Sequence, residues 1–174
     1  MMRKTAQHGA VLILSLLLLL VLSLLAISSM QGSVMQERMV SAEREGMQSL
    51  EIAESAVRDA ETFIDGLNTL TGFNGTNGLF GLGNATPDPL AAATWGGSNV
   101  RVATTVVVNG ISVTPKYFVA HVGDTETKEN LTQGQGYGGP AATEAQGFRI
   151  VAWSPGVTGD SQRVIESFYT RDGF

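Results

Sequence analysis

The chain has 174 residues, a formal charge of −5 and no cysteine. That length allows one modest domain with an appendage, and the missing thiols exclude disulfides, thiolate metal sites and cysteine nucleophiles. Arg3 and Lys4 precede the first acid, Glu37, so the rest of the chain is more acidic still. This disfavours direct nucleic acid binding, and two histidines, His8 and His121, are too few for an imidazole metal cluster.

Residues 1–9, MMRKTAQHG, form a short basic leader. From Ala10 to Gln36 no charged residue occurs, and Ala10 to Ile27 reads AVLILSLLLLLVLSLLAI. As a helix, that apolar run rises about 27–32 Å, the thickness of a bilayer core. Ser15 and Ser23 can bond back to the helix's own carbonyls, so they interrupt it at small cost. Arg3 and Lys4 lie before the run and no basic excess follows it, which places the N-terminus in the cytoplasm and the bulk of the chain outside. An ordinary signal peptide, cleaved near Ser28–Met30 after Ala26–Ser28–Ser29, is the competing reading. The helical pattern continues straight out of the run, which a signal peptide does not predict.

Met35, Met39, Ala42, Gly46, Leu50, Ala53, Val57, Ala60 and Ile64 recur every three or four residues, one face of an α-helix. Charged residues fill the other faces, and Glu54–Arg58 is an i,i+4 pair in the favourable order. Gly66 and the glycines after it end the pattern. A single helix over Ala10–Ile64 is therefore expected, about 82 Å long if unbroken. Gly32 and Gly46 each weaken it by about 1 kcal/mol and are the expected points of bending. Residues 50–64 are expected to pack on a globular domain, while 10–34 need lipid or other subunits to cover them.

Residues 67–99 read as a loop with Phe73, Leu79, Phe80 and Leu82 as anchors. Val100–Val108, Ile111–Val113 and Lys116–Val122 are β-prone, and Asn109–Gly110 between the first two is a hairpin turn. Pro115 interrupts the return strand. A second loop spans Gly123–Ala145, followed by strands Gly147–Trp153 and Arg163–Thr170. The expected class is α+β: a long helix, half membranous and half amphipathic, packed on a small antiparallel sheet within 66–174.

No catalytic constellation appears. Ser154 lacks a G-x-S-x-G frame. His121 with Asp124 nearby reads as a satisfied strand histidine. Asp124, Glu126 and Glu129 lack the alternating ligands and central glycine of a calcium loop. GQGYGG around Tyr137 has no lysine and no strand-to-helix context, so it is not a phosphate loop. Asn74, Asn84 and Asn130 match N-x-[ST] and read as loop asparagines. The expectation is a chain that is not an enzyme and takes no metal or other cofactor.

A basic leader ending in Gly9, the apolar stretch after it, and the segment MQERMVSAEREGMQSLEIAESAVRDAE over Met35–Glu61 resemble the PilX-type minor pilins of bacterial type IV pili. Gln36–Met39 and Ala53–Glu61 carry the clearest likeness, and FRIVAW and RVIESFYT resemble that family's closing strands. The resemblance implies a type IV pilin-like fold and cleavage by prepilin peptidase between Gly9 and Ala10. It also implies N-methylation of Ala10, inner-membrane storage before assembly, and an extracellular fibre afterwards. Implied partners are other minor pilins, a major pilin and a tip adhesin, with a role in twitching motility. Most pilins carry Glu at the fifth mature position, which here is Leu14, and this implies a priming or tip-complex subunit. A type II secretion pseudopilin and a secreted binding domain are the alternatives.

Overall fold

The computed structural model describes residues 8–126 and 144–173. Helix α1, His8–Asp65, is continuous through Gly32 and Gly46, so neither glycine breaks it. Leu, Ala, Met and Glu make up 27 of its 58 residues, and all are good helix formers. Ser15 Oγ donates to Leu12 O at 2.9 Å and Ser23 Oγ to Leu20 O at 2.8 Å, which absorbs both hydroxyls inside the apolar run. Two compact units divide in sequence between Glu43 and Arg44.

In the first unit α1 is exposed on all sides. In the second, the helix buries Gly46, Ser49, Ile52, Ala53, Ala56, Val57, Ala60 and Ile64. Most of these are small, which lets the helix backbone lie close to the sheet. Leu50, expected on this face, is 40 % exposed and sits on its rim. The buried row advances through Ser49 and Ala53, and a leucine in that row would hold the helix off.

The strands are β1 (Leu79–Phe80), β2 (Arg101–Val102), β3 (Val106–Val108), β4 (Ile111–Val113), β5 (Lys116–Glu126), β6 (Glu144–Pro155) and β7 (Gln162–Asp172). A short helix α2 spans Ala92–Gly96. The main sheet runs β1-β5-β6-β7, with β2 also pairing β5. It is antiparallel except for β1, which lies parallel to β5 and makes the sheet mixed. Gly78 permits this pairing, because a Cβ there would sit 2.9 Å from the Arg101 backbone nitrogen.

The β-prone run Val100–Val108 splits in two. Thr104 N donates to Asp59 Oδ2 on α1 at 2.6 Å, not to a neighbouring strand, so β2 stays in the main sheet and β3 leaves it. The β3–β4 hairpin closes through Asn109 and Gly110, both at positive φ (52° and 81°), as its two-residue turn requires. Part of the expected second loop is strand, since β5 extends to Glu126 and β6 begins at Glu144.

Alternation along the strands builds two cores. Tyr117, Val119, Phe148, Ile150 and Ala152 face α1 and join Ala56, Ala60 and Ile64. Phe118, Ala120 and Val151 face the other way, under Phe80 and Trp95 from the 79–99 segment. Phe73, Leu79 and Phe80 are buried anchors, but Leu82 is 66 % exposed. The turn Gly81–Asn84, closed by Asn84 N to Gly81 O and by Gly81 N to Asn84 Oδ1, carries Leu82 at its tip into solvent.

Candidate functional site

The residues that carry chemistry elsewhere are committed to structure here. Among the described residues His121 Nε2 lies 2.7 Å from Gln146 Oε1, and Gln146 Nε2 donates to Asp124 Oδ1 at 2.7 Å. Because the amide gives its hydrogens to the carboxylate, its oxygen faces the imidazole, and His121 must donate from Nε2. The ring packs against Phe73 and Phe148. Asp124 is thereby engaged by an amide, and the Glu126 and Glu129 side chains expected beside it lie outside the described atoms. Ser154 is fully buried and its hydroxyl donates to Pro155 O at 2.9 Å. Asn74 Oδ1 accepts from Thr76 N and Oγ1, so it is a turn asparagine, as Asn84 is. Asn130 and Tyr137 lie outside the described residues.

What the molecule presents instead is surface. Gly9 and Ala10 are exposed at the start of α1, and a Cβ on Gly9 would meet nothing within 4 Å. Leu14 is 64 % exposed within a run, Val11–Ile27, in which every large side chain faces outward. α1 is the one helix among the described residues that is long and apolar enough to cross a membrane. Met30, Val34, Met35, Met39 and Ala42 continue an apolar stripe past that run. Met35 and Met39, expected on a packing face, are exposed in this single chain. Ala53, Val57, Ala60 and Ile64 of the same row are buried in the core.

Three contacts tie α1 to the far end of the sheet. Glu45 Oε1 accepts from Thr158 N at 3.2 Å and also from Thr158 Oγ1, which fixes the β6–β7 turn. Arg163, on β7, lays its guanidinium over Gly46, where a Cβ would come within 3.1 Å of it. At the other end of β7, Arg171 Nη1 donates to Ile64 O at 2.7 Å and to Leu67 O at 2.5 Å, and Tyr169 donates to Asp65 Oδ1 at 2.7 Å. The last turn of α1 has no basic residue of its own, so β7 supplies the cation its carbonyl end favours. Sequence reasoning missed this clamp, because nothing local in the helix signals a cap that arrives about a hundred residues later.

Two ionisable groups of β7 depart from their ordinary values. The bidentate hydrogen bond from Arg149, at 2.6 and 3.2 Å, holds the Glu166 carboxyl below 4.5 against the opposing effect of burial. The bond to Asp65, with burial second, pushes the Tyr169 phenol above 10.0. A lowered carboxyl adds stability that is complete above its unfolded value and is lost as pH falls through the folded one. Acid titration of the Glu166→Gln variant should therefore show a shallower loss of stability below about pH 4.5. The difference should be no more than about 1 kcal/mol, since the Glu166 side chain is 43 % exposed and screened. Tyr169 acts at the other extreme: its bond is intact below 10 and is lost as pH climbs through the raised value.

Comparison with known families gives two matches. A family model described as PilX N-terminal matches residues 8–58, and one described as type IV pilus assembly protein PilX C-term matches residues 65–171. No curated protein and no solved structure matches.

Proposed function

We propose that this chain, which belongs to the PilX family of type IV pilus assembly proteins and is a pilus-assembly-related minor pilin, primes the fibre or caps it as part of a tip complex. The family is structural rather than catalytic, and the chain's role is to bind other subunits through α1 with no reaction of its own. Storage in the inner membrane with Ala10 toward the cytoplasm precedes assembly. Prepilin peptidase cuts after Gly9, the Ala10 amine is methylated, and the helix then moves from lipid into a bundle of similar helices. Its apolar side chains exchange one dry environment for another and never meet water. Its partners are the other minor pilins, the major pilin and a tip adhesin.

Leu14 supports the terminal position. A helix bundle formed around a new N-terminal amine needs a buried carboxylate to neutralise it, because a lone buried charge is expensive. This chain has no carboxylate between Ala10 and Gln36, and its fifth mature position is an exposed leucine. It cannot offer a partner to the amine of a neighbour, so a place where no neighbour's amine needs one suits it.

Two measurements test this reading. Mass spectrometry of the mature chain should give methyl-Ala10 as its first residue, and a start near Ser28–Met30 would rule out prepilin processing. Labelled wild-type protein should lie at fibre ends, while Leu14→Glu should spread along the shaft. Dispersed wild-type label, unchanged by the substitution, rules out the tip position.

A further inference from the structure

We infer that the free edge of β7 is a docking site for one extended strand of a different protein, which sets an apolar side chain beside Phe168 and an acidic one beside Arg163. The inference rests on the sheet and stands whether or not the chain occupies a fibre tip.

The two edges of the sheet are built differently. The β5 edge is covered by β1 and β2 along Lys116, Tyr117, Val119 and Ala120, and its register slips between His121 and Gly123. Cover and a bulge are standard protections against unwanted pairing. β7 has neither. It pairs with β6 over eleven successive positions without a slip, it contains no proline, glycine or lysine, and among the described residues no strand lies on its outer side.

The hydrogen-bond phase shows what that edge offers. Gly156 N donates to Ser161 O in the β6–β7 turn, and Pro155, which has no N–H, faces Gln162. Antiparallel pairs alternate between bonded and non-bonded. The odd-numbered residues of β7 therefore bond to β6, and Val164, Glu166, Phe168 and Thr170 turn their N–H and C=O groups outward. An incoming strand finds a ladder ready to pair.

The side chains limit what that strand can be. Phe168 is 70 % exposed on the face away from α1, an anchor for an apolar neighbour. Arg163 lies on the opposite face, over Gly46, with no acid or hydrogen-bond acceptor among the described residues. The helix-facing row of β7 (Arg163, Ile165, Ser167, Tyr169, Arg171) holds two arginines and no carboxylate. A second copy of β7 would bring only more arginine to that row, so charge selects a different chain. Arg163 and Phe168 are separated by an odd number of positions. The partner's acid and its apolar residue must likewise be an odd number apart.

Site-specific photo-crosslinking tests this in piliated cells that make the full chain. With p-benzoylphenylalanine in place of Phe168, the adduct should map to one different protein. The mapped segment should be extended and carry an acid an odd number of residues from the crosslinked position. Thr170→Pro removes an outward N–H that β6 does not use, so the circular dichroism should persist while the adduct falls by about tenfold. Arg163→Glu should reduce it similarly, and changing the mapped acid to lysine should restore it. Four results would overturn the inference: an adduct within the chain itself, an adduct to a second copy, no adduct, or full yield in folded Thr170→Pro and Arg163→Glu.

Discussion

Replacing Phe118 with alanine is expected to lower the unfolding free energy by about 3–5 kcal/mol. Phe118 is fully buried on the sheet face away from α1. Its ring meets Phe80 edge-on at 5.7 Å and stacks on Trp95 at 5.8 Å, so truncation removes burial and two aromatic contacts together. Whole domains are stable by only about 5–15 kcal/mol, so the variant should sit near the limit of folding. Denaturant titration of the full chain in detergent is the measurement, and a change under about 1 kcal/mol would mean that the 79–99 segment does not depend on this ring.

Arg171→Met should cost about 1.5–3 kcal/mol, the range for hydrogen bonds to a charged group. Methionine keeps the length and apolar stem but takes the cation from Leu67 O and leaves Ile64 O with the Leu67 backbone N–H alone. Lysine at the same position should recover part of the loss, because it restores the charge without the fork. Tyr169→Phe, which removes only the bond to Asp65, should cost about 1 kcal/mol. Amide exchange in the last turn of α1 separates local fraying from global loss. If Arg171→Met leaves Phe63–Asp65 as protected as wild type, the cap is not what holds that end.

Signals local in sequence translated well into structure. The helix needed only a sustained period and good helix formers, and the hairpin needed only Asn109–Gly110 between β-branched runs. What escaped depends on distance in sequence. Leu50 matches the helical stripe as well as Ala53 does, yet the row that meets the sheet is selected by how closely the two can approach. Leu82 looks like its neighbours Leu79 and Phe80, and only the turn that Asn84 closes sends it outward. The parallel pairing of β1 depends on the room left by Gly78 beside Arg101. The surfaces divide in the same way: the apolar run is plain in composition, whereas the clamp at Arg171 and the open edge of β7 exist only once the sheet has formed.

The stacking of Trp95 on Trp153, 5.7 Å apart with planes 12° from parallel, gives the chain a built-in optical reporter. These are its only two tryptophans, and both lie on the sheet face away from α1. Indole emission therefore follows the attachment of the 79–99 segment and is largely silent to events at the helix. Fluorescence excited in the band that only tryptophan absorbs can thus tell whether this layer loosens when a subunit is drawn into a fibre.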